Sequence, residues 1–145
     1  MATSFKKELL LGHHNFGVGV IRAATTADSF KAALYLTTAT MGAASTVYSA
    51  TNEVSGTGYT AGGVAVTFAT APNTTGTTAF VTPSANIVFS GVTLTTSFDA
   101  VLLYNSTQGN KAVSVHTFTA QTITAGTLTL TMPVNDASTG LLRLV

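Results

Sequence analysis

Threonine fills 29 of the 145 positions, and most of these threonines take turns with apolar residues in short runs. Thr127-Leu128-Thr129-Leu130-Thr131-Met132 is the clearest run, and Val64-Ala65-Val66-Thr67-Phe68 is the next. Side chains on a strand point alternately to its two faces, so a period of two gives one greasy face and one hydroxyl-bearing face. Threonine is β-branched and fits a pleated, half-buried surface. A helix needs an apolar repeat near 3.6, which these runs lack. The pattern therefore predicts half-buried antiparallel strands and an all-β protein.

Punctuation along the chain gives the strand positions. Residues 28–36 read as a strand, with Phe30, Leu34 and Leu36 facing one way and Tyr35 the other. Residues 37–46 read as a loop, and Gly56, Gly58, Gly62 and Gly63 mark turns or bulges. Further strands are expected over 63–68, 78–82, 86–89 and 92–96, with a loop over 69–76 and a break at Ser90-Gly91. The stretch 98–104 is apolar on both faces and reads as a central strand. A hairpin connection follows over 105–110, then a strand over 111–118. A turn over Ile123-Thr124-Ala125-Gly126 leads into a strand over 127–132 that Pro133 stops. Residues 141–145 could add an edge strand. Only residues 4–11 read as helix: Phe5 and Leu9 share a face, and Gly12 ends it. Eight or nine short strands with turns every eight to twelve residues predict a β-sandwich of mainly antiparallel strands, Greek-key or jelly-roll-like. A closed barrel is the alternative. The division expected is a helix or arm over 1–22 and the β-sandwich domain over 23–145, with removal of residues 1–21 expected to cost attachment to a partner more than folding.

Composition removes several classes of function. There is no Cys, hence no disulfide and no thiolate nucleophile or ligand. Charged residues make up 8% of the chain, against roughly 25% in ordinary soluble domains. Such a surface is either covered by neighbours or solvated by hydroxyl and backbone groups. Net charge is +1 without a basic patch, so nucleic acid is not an expected partner. Leu9-Leu10-Leu11 and Ala100-Val101-Leu102-Leu103-Tyr104 are far shorter than a membrane span. No targeting signal is read, so synthesis in the cytoplasm is expected.

The residues able to do chemistry are few. His13 and His14 are adjacent, so on a strand or helix they diverge, and His116 can join them only through the tertiary fold. The carboxylates are Glu8, Glu53, Asp28, Asp99 and Asp136. Glycosidase chemistry needs two of them astride a sugar bond; Glu53 and Asp99 are the most isolated, and no Trp is present to form a platform. No Ser lies in Gly-x-Ser-x-Gly, and the glycine cluster lacks the Lys of a phosphate-cradling loop. No catalytic, cofactor-binding or metal-binding residue is assigned, and no cofactor is expected. Tyr35, Tyr48, Tyr59 and Tyr104 carry rigid contact area with a polar end, which suits a protein interface.

The order of segments is itself informative. It runs from Phe5-Lys6-Lys7-Glu8-Leu9-Leu10-Leu11 through Ala33-Leu34-Tyr35-Leu36-Thr37-Thr38 to Glu53-Val54-Ser55-Gly56-Thr57-Gly58-Tyr59. Val64-Ala65-Val66-Thr67-Phe68, then Asp99-Ala100-Val101-Leu102-Leu103-Tyr104 and Ile123-Thr124-Ala125-Gly126-Thr127-Leu128-Thr129-Leu130 complete it. Over nearly the whole chain this resembles small virion proteins of tailed bacteriophages, of the head decoration (cement) and tail-fibre-like kinds. The chain departs from that pattern at Thr60-Ala61 and in having no Trp.

The resemblance implies a non-enzymatic structural subunit on the outer capsid surface of a virion, made in the host cytoplasm. Its implied partners are the major capsid protein and further copies of itself, with a trimer favoured. A tail, baseplate, fibre or portal-vertex location is the alternative, and a carbohydrate- or receptor-binding β-module using Tyr48, Tyr59 or Tyr104 is a third reading.

Overall fold

The computed structural model describes His13, His14, Phe16 and residues 27–145. The helix expected over 4–11 and most of the arm lie outside the described residues. Seven strands follow: β1 (Phe30–Leu36), β2 (Val64–Val66), β3 (Asn73–Thr75), β4 (Thr78–Val81), β5 (Ile87–Asn105), β6 (Lys111–Leu130) and β7 (Leu142–Leu144). They form two antiparallel sheets, one of four strands ordered β2-β1-β5-β6 and one of three ordered β3-β4-β7. The all-β expectation holds.

The doubly apolar stretch becomes the centre of the larger sheet. β5 lies between β1 and β6, and Phe98, Ala100, Val101, Leu102, Leu103 and Tyr104 are all buried. Alternation fails here because both faces are covered, so nothing selects for polar residues on either side. β1 shows the same thing: Ala32, Ala33 and Leu34 are fully buried although consecutive. Val81 and Leu142 of the smaller sheet belong to the same apolar core as these residues. Phe16 also joins it, stacked on Phe30 (5.0 Å) and edge-on to Phe68 (5.2 Å). The arm thus contributes a ring to the core, so removing all of it takes part of the core away.

Five of the expected strands are pieces of two long ones. The 86–89, 92–96 and 98–104 segments are all β5, and the 111–118 and 127–132 segments are β6. The break expected at Ser90-Gly91 is a bulge within β5, where the register shifts and Gly91 has φ 64°. The turn expected at residues 123–126 is a bulge in β6 centred on Ala125, at φ 46°. A left-handed residue looks the same in a sequence whether it reverses the chain or inserts one extra residue into a ladder. The loop expected over 69–76 contains β3, a short exposed strand. The expected edge strand near the carboxyl end is β7, paired with β4.

Candidate functional site

Among the described residues Glu53 is the one acidic side chain that is buried, and the structure gathers tyrosines around it. Backbone bonds from Val54 N–H to the Leu34 carbonyl and from Leu36 N–H to the Asn52 carbonyl dock its segment along β1. Tyr35 and Glu53 face each other in an isolated bridge there. Oε1 accepts hydrogen bonds from the Tyr59 hydroxyl (2.7 Å) and the Gly62 N–H (2.8 Å), and Oε2 accepts one from the Tyr48 hydroxyl (2.7 Å). The Tyr59 oxygen accepts from Leu34 N–H at 3.0 Å, and Tyr104 donates to the Gly62 carbonyl at 2.7 Å. Tyr48 stacks on Tyr104 at 4.8 Å, and Tyr59 lies parallel to Phe89 at 5.9 Å. Tyr35 completes the group by donating to the Ser49 carbonyl at 2.6 Å.

This explains the motif residue by residue. Glu53 and Tyr59, six positions apart, are bonded across the loop, and Gly56 and Gly63 are points where the 48–63 segment meets the sheet. A Cβ on Gly56 would lie 2.0 Å from the Thr93 carbonyl oxygen, and one on Gly63 would lie 1.8 Å from that of Ala32. Gly63 also has φ 72°, which a side chain disfavours. Only glycine lets the two backbones come so close.

The electrostatics follow from a carboxylate held in a half-dry site. Desolvation raises the pKa of all four tyrosines. Tyr35 is pushed up to about 12. Tyr48 and Tyr59 rise as well, because their hydroxyls also donate to Glu53 and would face its charge if ionised. With three donors on its oxygens, Glu53 is a clamp for the 48–63 loop rather than a free base. Asp99, the other isolated carboxylate, takes no part in this network.

His14 and His116 have different surroundings. His14 is buried, and its Nδ1 accepts from the Asn105 amide at 3.0 Å. That amide also donates to Asp28 Oδ2 (2.8 Å), while Asn105 Oδ1 accepts from the backbone N–H groups of Thr107 and Gln108. These contacts fix the amide's orientation and leave His14 with its proton on Nε2. His116 instead sits opposite Val101, with Nε2 2.9 Å from Ser114 Oγ, and lines an apolar cavity of about 320 Å³ with Leu103, Leu130 and Leu141. Burial lowers its pKa. Among the described residues no three of His, Asp and Glu converge to hold a metal ion. Asp136 caps its own loop: hydrogen bonds from Thr139 and Ser138 hold its carboxyl below the usual range.

Sequence reasoning missed Asn105, fully buried and the anchor of the β5–β6 turn. The only signal was an Asn at the start of a hairpin connection. It also read the four tyrosines as suited to an interface, and did not foresee that they form one cluster around Glu53. Comparison with known proteins finds no family model, curated protein or solved structure that matches the chain.

The surface left over is poor in charge and rich in hydroxyls. β6 is the outermost strand of the larger sheet. Among the described residues its outer edge is covered only at its start, where Ala112 N–H donates to the Thr46 carbonyl and Tyr48 N–H to that of Asn110. Beyond that point no described segment pairs with it. The exposed side of β6 carries Thr117, Thr119, Thr122, Thr124, Thr127 and Thr129.

Proposed function

We propose that this protein is a structural subunit of a tailed-bacteriophage virion, a decoration or cement protein that bridges and stabilises major capsid protein subunits from the outer surface. The two sheets would pack as a sandwich of Greek-key or jelly-roll type. The observation that carries the reading is the long, charge-poor, threonine-faced edge of β6 on a rigidly clamped β fold. Covering such a surface desolvates few charges, and its open backbone groups can be satisfied by another chain. Many such contacts around a shell add up although each is weak. The role needs no catalysis and no cofactor.

Quantifying the protein against the major capsid protein in purified virions tests this. A copy number comparable to that of the shell subunits supports the proposal. Copies too few to cover a shell would move it to the tail or portal vertex. Its absence from virions would overturn the reading.

A further inference from the structure

The outer edge of β6 differs from edges that proteins keep monomeric. Natural edge strands are shortened, charged, interrupted by proline, bulged or covered. β6 is 20 residues long, and from Ala112 to its end at Leu130 it has no Lys, Arg, Asp, Glu or Pro. Bulges do interrupt its earlier part. Between the Leu103↔Ser114 and Tyr104↔Ala112 pairs, between Phe98↔Gln121 and Ala100↔Thr117, and between Val92↔Gly126 and Leu94↔Ile123, β6 advances further than β5. From 126 to 130 its own path is regular, because the bulge opposite, at Gly91, belongs to β5. This short stretch is the part of the edge able to accept a strand in register.

We propose that residues 126–130 of β6 pair antiparallel with the same residues of a second copy, about a two-fold axis at Leu128. The segment Gly126-Thr127-Leu128-Thr129-Leu130 is nearly symmetric about that residue. The axis sets Thr127 opposite the partner's Thr129 twice, both on the exposed side, as cross-strand hydroxyl pairs. On the other side Leu128, already mostly buried, meets its own copy, and Leu130 lies over Gly126, where there is no side chain to displace. An edge without charge meets itself without like-charge repulsion. The other outermost strands, β2, β3 and β7, have three residues each, too short to pair with all five. Identical edges meeting antiparallel close as a dimer rather than growing into a fibre. The pairing joins two four-stranded sheets into one, and gives two-fold rather than threefold association. It does not rest on the virion reading: a dimer in solution leaves it standing even if the protein is absent from virions.

Sedimentation equilibrium of the whole chain on the order of 100 µM tests it, since so short an edge forms a modest interface. The wild-type protein is expected at about twice 14.8 kDa, with amide exchange at 126–130 slowing as concentration rises. The double variant Thr127→Lys, Thr129→Lys sets like charges opposite each other and should sediment as a monomer with an unchanged far-UV spectrum. The matching double Glu variant should do the same, and an equimolar mixture of the two should recover the dimer. A monomeric wild type without concentration-dependent exchange would overturn the proposal. So would a Lys variant that stays dimeric, or a mixture that stays monomeric.

Discussion

At the scale of single residues, the fold depends on a few polar groups whose removal leaves others stranded. Glu53→Ala would orphan the hydroxyls of Tyr48 and Tyr59 and the Gly62 N–H together. A buried donor left unpaired costs about 1–3 kcal/mol, so a loss of about 3 kcal/mol in urea unfolding is expected. Tyr59→Phe strands Leu34 N–H and one carboxylate contact, and should lose about 2 kcal/mol on the same basis. The tyrosines also set the alkaline limit. Their pKa values are higher folded than unfolded, so above pH 10 the unfolded chain releases protons that the folded one retains. Stability should therefore be constant up to about pH 10 and fall as pH rises towards 12, the value reached by Tyr35. Absorbance at 295 nm, which follows tyrosinate, should rise together with loss of the far-UV β signal. Tyrosine ionisation well before unfolding would contradict the buried cluster.

Among the elements, close backbone approach matters more than propensity. Gly63→Ala adds a methyl at 1.8 Å from a carbonyl oxygen and at a left-handed φ. The loop must then leave the sheet, taking with it the Gly62 contacts to Glu53 and Tyr104. Thermal unfolding should show a large drop in Tm, whereas Gly42→Ala, with open space around it, should be nearly silent. The turn at the end of β5 shows how local signals mislead. Gly109 and Asn110 have positive φ in a true reversal, while Gly91 and Ala125 have it inside strands. Reading all of these as breaks splits β5 and β6 into pieces. The long ladder between the two strands decides which positions reverse the chain, and a window of a few residues does not contain it.

For the molecule as a whole, the core extends back into the first residues. Phe16→Ala removes a ring that is 5% exposed and packed on Phe30 and Phe68. A loss of about 3–5 kcal/mol in urea unfolding is expected for a buried Phe. Deleting residues 1–21 should cost at least as much, so it cannot serve as a clean test of attachment. Low charge sets the colloidal behaviour. With net charge +1 and a pI near 8.1, light scattering should be greatest near pH 8 and fall on either side of it.

The alternation of threonine with apolar residues, visible without any structure, was enough to determine the all-β class, because period two is the geometry of a strand wherever it lies. The central position of 98–104 was legible for the same reason: a strand apolar on both faces needs cover on both. The gathering of Tyr48 and Tyr59 on Glu53 with Tyr104 beside them, the anchoring of His14 by Asn105 and the different surroundings of His116 were decided only in three dimensions. Each joins residues whose proximity depends on which strands pair and in what register. Register is a property of the whole ladder, so no local pattern encodes it.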